Sequence, residues 1–367
     1  MTEVQNASIS TAVYSYKQNL KRSRDDDEVA VDEPPSKARQ THVKHETHWA
    51  LDGNLLLQLG NVRFKVHRSR LCSQSKLIQA IIETSNGCPN KEYDTAEKLV
   101  ENKEMVDGID CFFFEDGPSA QQFAALLDCM DSAIEFVYKP LPGIETIKLI
   151  LEAASYFTFE RYEDFAIQYI KDLFHLKVED VQENISPHAV DGIKLADDYP
   201  KLVCVLAPAF YELARQPYQE NSPNGPAIGK GLSELNLHKL LHLQRKLSQA
   251  WDEIVPLLEV GGAKGPDCCA KRHVLSLQTF LDVKTQHPFD PILGIRQLKS
   301  IDWVAKKYCN PAIVSVKDNL RKKSRQIWAD IPVWIQEVED KPESNSNDST
   351  NDVSSDDSES TTGDEKS

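Results

Sequence analysis

The stretch Asn54-Leu55-Leu56-Leu57-Gln58-Leu59-Gly60-Asn61-Val62-Arg63-Phe64-Lys65-Val66-His67-Arg68-Ser69 decides the fold. Leu55, Leu57 and Leu59 alternate with Leu56 and Gln58, the two-residue period of a strand. Gly60-Asn61 is a turn dipeptide of the length a tight hairpin needs, and Phe64 and Val66 alternate on the return strand. This pattern predicts a β-hairpin over residues 54–66. Beyond His67-Arg68-Ser69 the spacing changes. Leu71, Leu77, Ile78, Ile81 and Ile82 recur at helical intervals, so a helix should follow the hairpin.

Outward from the hairpin the chain divides by composition. Residues 1–48 are polar, with the charge run Lys21-Arg22-Ser23-Arg24-Asp25-Asp26-Asp27-Glu28 and the break Pro34-Pro35. Such a segment buries too little apolar area to offset its ordering entropy, and it is expected to be a disordered tail. Residues 84–109 are also polar and are expected to form a long, partly ordered loop. Ile109 to Phe114 is a compact apolar run that reads as a strand. Ser119 and Gln122 have capping-box spacing ahead of a helix carrying Phe123, Leu126, Leu127, Met130, Ile134 and Val137.

After Pro140-Leu141-Pro142-Gly143 helical patterns dominate. One stripe is Ile147, Ile150, Leu151 and Ala154; the next is Tyr162, Phe165, Ala166, Tyr169, Ile170 and Leu173. Ile193, Ala196, Leu202, Leu206, Phe210 and Leu213 follow. Residues 217–231, rich in proline and glycine, read as a linker. A long helix is expected from about Ser233 to Val255, with Leu237, Leu240, Leu241, Leu247, Trp251 and Ile254 on its buried face and Pro256 as its stop. Ile295 to Trp334 is again helical. Residues 339–367 are Ser, Asp, Asn, Thr and Glu with almost nothing apolar, an acidic tail expected to be disordered. No fixed-period repeat points to a solenoid or propeller.

The hairpin residues carry a family resemblance. Asp52 to Leu57, Gly60-Asn61, Phe64, Val66-His67-Arg68-Ser69 and Leu71 resemble the opening of a BTB/POZ domain. Ser75 matches the serine of the helix that follows. Phe112-Phe113-Phe114 resembles the third strand, and Phe123 to Val137, with Tyr138, the next helix. Three later stretches are similar to the helical continuation of fungal BTB proteins, chiefly those of basidiomycetes. They are Ala207-Pro208-Ala209-Phe210-Tyr211-Glu212-Leu213-Ala214-Arg215, Leu232-Ser233 to Ala250-Trp251, and a closing helix with Trp328 and Ile331-Pro332. The resemblance thus covers Trp49 to Trp334. It implies an α+β fold: a BTB/POZ-like domain over 49–140, with a small sheet flanked by helices, then an all-α extension over 141–216 and 232–338. Two departures stand out. Asn54 occupies the place of an aspartate that faces the arginine in relatives, so the ionic half of that pairing with Arg68 is missing. Cys309 stands alone where relatives often have a cysteine pair.

The resemblance implies a non-enzymatic protein-interaction scaffold or adaptor. It implies a homodimer formed through the first helix, with Arg68, Leu71, Leu77, Ile78, Ile81, Ile82 and Glu83 as interaction residues. Strand exchange at the N-terminus is not expected, because no substantial strand is evident before Trp49. Ile81-Ile82-Glu83 loosely fits the hydrophobic-x-Glu element of receptors for cullin-type ubiquitin ligases, an alternative partner. A transcription-associated regulator is a further variant.

The chemistry-bearing residues favour no enzyme. His67 is expected to cap the hairpin-to-helix junction on backbone groups. His238 and His242 have metal-ligand spacing, but Lys239 stands where a zinc protease places its glutamate. Cys268-Cys269, His273, His287 and Cys309 are zinc-type ligands without a Cys-x-x-Cys spacing. Asp197-Asp198 reads as a solvated face. No phosphate-binding glycine loop, nucleophile elbow or kinase signature is present, so no catalytic residue, metal or cofactor is expected. The eight cysteines are scattered and read as free thiols, which fits an intracellular protein of cytoplasm or nucleus. Lys21-Arg22-Ser23-Arg24, with Lys37 and Arg39, is a candidate import signal. A formal net charge of -15 argues against direct nucleic-acid contact. No run of roughly 18 apolar residues suggests a membrane span.

Overall fold

The computed structural model describes residues 42–88, 93–131, 142–216, 230–258, 273–305 and 310–338. It is an α+β fold in which one small mixed sheet is followed by helices. The expected hairpin is β2 (Leu55–Leu59) and β3 (Val62–Val66), paired from Leu59 opposite Val62 to Leu55 opposite Val66. Gly60 adopts φ +58°, the left-handed region that a two-residue hairpin turn needs and that glycine enters without steric cost. Every residue of β2 is buried. The reason is position: β2 is the middle strand, flanked by β3 and by β5 (Ile109–Phe114), which runs parallel to it. A central strand covered on both faces wants a near-continuous apolar run, and Leu55-Leu56-Leu57 supplies it.

The sheet order is β1-β3-β2-β5-β4, and both edge strands correct the sequence reading. Residues up to 48 were expected to be disordered, yet β1 (Val43–Trp49) lies parallel to β3. Tertiary contacts hold it. The His45 ring stacks on Phe64 with centroids 4.6 Å apart, and Lys44 Nζ sits 4.8 Å from the Trp49 ring. His48 Nε2 lies 3.0 Å from Asp128 Oδ1, a close contact not aligned as a hydrogen bond. The 84–109 loop contains α3 (Asp94–Glu101) and β4 (Glu104–Val106). Asp107 (φ 52°) and Gly108 (φ 78°) turn β4 back into β5. Positive φ at both turn positions is the geometry for which Asp-Gly is selected.

The single helix expected after the hairpin is two: α1 (Arg68–Cys72) and α2 (Lys76–Ser85). Ser75 therefore does not sit mid-helix but caps α2, its Oγ accepting from Ile78 N at 3.0 Å. The same hydroxyl donates to the Phe157 carbonyl at 2.5 Å, and Leu77 N donates to Thr158 Oγ1 at 3.0 Å. Phe157 and Thr158 connect α5 (Ile144–Tyr156) to α6 (Glu160–Asp172). The N-terminus of α2 is thus fastened to the start of the helical extension. Helix α4 (Ala120–Asp131) begins with the anticipated capping box, Ser119 N donating to Gln122 Oε1 at 2.5 Å and Gln122 N to Ser119 Oγ at 3.3 Å. The expected continuation to Val137 and Tyr138 lies outside the described residues, as do most of the linker and the acidic tail.

The extension continues with α7 (Ala189–Asp198), α8 (Val203–Ala214), α9 (Glu234–Ala250), α10 (Val255–Leu258), α11 (His273–Gln286), α12 (Pro291–Ser300) and α13 (Asn310–Gln336). Helix α9 starts where expected, with Ser233 as its cap, but it ends at Ala250 and not near Val255. Pro256 does not stop it; it lies inside α10, in the first turn, where proline's missing N–H costs nothing. Leu241, expected to be buried, is 61% exposed, and Leu243 faces the core instead. One contiguous set of buried side chains runs from Leu55 to Ile335. No described helix is long and apolar enough to cross a membrane.

The Ser75 clamp is directly testable. Ser75→Ala removes a helix cap and leaves the buried Phe157 carbonyl without its donor. It is expected to lower unfolding free energy by about 1–3 kcal/mol, read as a shift in denaturant midpoint at unchanged slope.

Candidate functional site

The sequence-predicted interaction residues separate into two groups. Leu71, Leu77, Ile78, Ile81 and Ile82 are buried in the chain's own core. Helix α2 turns its apolar stripe inward into the chain's core, beside α1 and α3, because helical spacing puts those residues on one side. Arg68 and Glu83 remain at the surface. They line an open groove of about 470 Å³ with Asn54, Ser69, Cys72, Gln79 and Asn86, and the edge of Ile82 forms part of its floor. Ile81 and Ile82, the apolar part of the hydrophobic-x-Glu triplet, are in the core, so only Glu83 of that element faces outward.

Local geometry builds the groove. Asn54 Oδ1 accepts the backbone N–H of Arg68 at 2.8 Å, capping α1 from across the hairpin. Asn54 thus holds the arginine's backbone, and among the described residues no carboxylate pairs with the Arg68 guanidinium. His67 stands at the N-cap of α1 but makes no side-chain cap there. Its Nε2 lies 3.4 Å from Asp52 Oδ1, so it meets an acid and not the expected backbone. Gln79 Nε2 donates to Glu83 Oε1 at 2.8 Å and orients the carboxylate. Neither Arg68 nor Glu83 forms an ion pair with a described residue. Burial pushes the Cys72 thiol up, against the opposing pull of Arg68, so it is a protonated thiol at neutral pH and a poor nucleophile.

The other candidate chemistry resolves into packing. His238 is exposed, while His242 Nε2 pairs with Glu337 at 3.0 Å, beside Lys246 at 2.7 Å from the same carboxylate. His287 Nε2 lies 2.8 Å from Gln297 Oε1. Among the described residues no three His, Cys, Asp or Glu side chains converge as metal ligands. Cys268, Cys269 and Cys309 lie outside the described residues.

A buried polar network that sequence reasoning missed links α8 to α12. Arg215 donates to Glu212 Oε2 from Nη2 at 2.6 Å and to Asp290 Oδ2 from Nη1 at 3.3 Å. It also donates to the carbonyls of Gln182 (2.5 Å) and Asn184 (2.8 Å). Asp290 caps α12 by accepting Leu293 N at 2.9 Å and takes a hydrogen bond from the Tyr211 hydroxyl. Burial, then the Asp290 charge, holds the Tyr211 hydroxyl well above its ordinary range, so it stays a donor. Tyr211, Glu212 and Arg215 lie close together in sequence, but Asp290 stands far along the chain. Each charged group is hydrogen-bonded within a packed core, one guanidinium serving two carboxylates, as a structural lock requires.

No protein-family model matches the sequence, and no curated protein or solved structure matches it with significance. What the chain does must therefore be argued from its own surfaces.

Two outcomes test this division between core and surface. Arg215→Met leaves two buried carboxylates facing each other and is expected to cost about 3–5 kcal/mol; Arg215→Lys restores little of it, lacking the fork. Burial pushes the Cys111 and Cys129 thiols up to about 11, while Cys88 and Cys204 are exposed. Alkylation at pH 7.5 followed by peptide mapping should label Cys88 and Cys204 within minutes. Cys111 and Cys129 should stay unlabelled until the chain unfolds.

Proposed function

We propose that this chain is a non-enzymatic scaffold or adaptor of the BTB/POZ kind that self-associates through the face formed by α1 and α2. The observation that carries the reading is the placement of Arg68 and Glu83 on one open groove, each without an ion-pair partner among the described residues. In a two-fold dimer the same patch meets itself, so residue i of one copy faces residue j of the other and the reverse. A patch holding one cation and one anion is complementary to its own copy in that arrangement. The buried aliphatic side chains of α2 hold the face rigid and do not themselves reach a partner.

The order hairpin, paired helices, then a strand parallel to β2 supports the same reading, because it follows the residues that carry the BTB/POZ resemblance. A stable dimer buries about 1,600 Å² in total, so the interface extends beyond the groove onto neighbouring surface. Edge strand β1 has one side of its ladder unpaired in the described sheet. An open ladder offers a second element backbone hydrogen bonds.

Light scattering on the full chain tests the proposal. The mass should rise from monomer to dimer with concentration. Arg68→Glu and Glu83→Arg should each weaken the dimer about tenfold, and the double exchange should restore it, because both reciprocal contacts are rebuilt with inverted sign. A monomer at every concentration rules out self-association.

A further inference from the structure

The strongest feature outside the α1–α2 face is a cationic cavity between a 3₁₀ turn (Val178–Asp180), α12 and α13. It measures about 230 Å³ and is lined by Arg296, Lys299, Arg321, Arg325, Ser324 and Glu179 over an apolar floor of Val178, Ile292 and Ile295. The helical pattern builds it: Arg296 and Lys299 lie three apart on α12, and Arg321 and Arg325 four apart on α13, so each pair shares a face.

The cations are not equally engaged. Arg296 donates to the carbonyls of Val181 (2.6 Å), Val178 (3.4 Å) and Glu179 (3.3 Å), which fixes the turn under the cavity. Arg325 grips Glu179 Oε1 from Nε at 3.0 Å and Nη2 at 2.8 Å. Among the described residues Arg321 pairs with Asp318, three residues earlier on its own helix, at 3.0 Å. Lys299 is half-buried and makes no hydrogen bond or ion pair with a described residue. Burial, followed by Arg321, Arg296 and Arg325, pulls the Lys299 ammonium below its ordinary range. Four cations meet two carboxylates, Glu179 in the cavity and Asp318 at Arg321, so two positive charges stand in excess in a chain of net charge -15. Such a cluster repels itself until an anion enters.

We propose that this cavity binds the phosphate group of a phosphate monoester, held by Lys299 and Arg321 with the Ser324 hydroxyl as a further donor. Guanidinium forks match phosphate oxygens, and a dianion offsets the excess charge as a single carboxylate does not. The cavity falls below the about 300–1,000 Å³ typical of pockets for drug-sized ligands, so it suits a compact group and not an extended strand. The ester has two sources with the same chemistry: a small molecule such as a nucleotide, or a phosphoserine. Eleven serines and threonines follow α13 between Glu343 and Ser367, which places candidate phosphoserines on this chain itself.

The test is a calorimetric titration of the full chain at fixed ionic strength. Inorganic phosphate is the first probe, followed by a nucleoside monophosphate and by a phosphoserine peptide copying residues 350–362. Phosphate should bind to one site. Lys299→Gln and Arg321→Gln should each weaken it at least tenfold, with melting temperatures of the free variants near that of the parent. Lys317→Gln, a lysine of the same helix outside the cavity, should leave it unchanged. The ester that binds more tightly identifies the source. No saturable binding of any probe overturns the proposal, and so does binding that Lys299→Gln and Arg321→Gln leave intact. Neither result bears on self-association, which light scattering reads separately.

Discussion

The structure turns on the junction at Phe157. Its ring is fully buried and lies about 5 Å from both Phe114 of the sheet and Phe123 of α4, while its carbonyl receives the Ser75 hydroxyl that caps α2. One residue of the helical extension therefore fills the core of the sheet unit and fastens the helix that covers it. Thr158 follows with φ 53°, a conformation a β-branched residue adopts only under constraint. The constraint is visible: its Oγ1 receives Leu77 N, and its carbonyl accepts Lys76 N at 3.5 Å. Side-chain packing and helix capping at this junction join the sheet and the first helices of the extension in one contiguous core.

How much of this was legible depended on the range of the interactions involved. The β2–β3 hairpin was legible because a two-residue turn and alternating side chains are local facts. The Ser119–Gln122 capping box was legible for the same reason. Asp107-Gly108 carries an equally local turn signal, but β4 is only three residues long and Met105 at its centre is exposed, so no alternation frames the turn. Strand β1 was invisible because nothing in its own composition calls for a strand. Phe64, Asp128 and the β3 backbone hold it, all distant in sequence.

The candidate site was legible in part. Helical spacing collected Arg68, the five aliphatic residues and Glu83, but spacing alone does not tell whether an apolar stripe meets a partner or the chain's own core. In the fold the aliphatic stripe turns inward and the charged ends of the face remain outside. The Arg215 network and the cationic cavity share one obstacle. Each joins residues separated by tens to more than a hundred positions, and charged residues in sequence give no sign of whether they will be matched, as Arg215 is, or left in excess, as Lys299 is.

We propose that the α1–α2 face is where the chain meets a second copy of itself. Hydrogen–deuterium exchange of the full chain at concentrations below and above dimer formation reads this face peptide by peptide. Slowed exchange at the higher concentration is expected in peptides covering 68–88, while peptides from α7 to α9 should exchange alike at both. Uniform exchange across the chain, or protection confined to the helical extension, would contradict it.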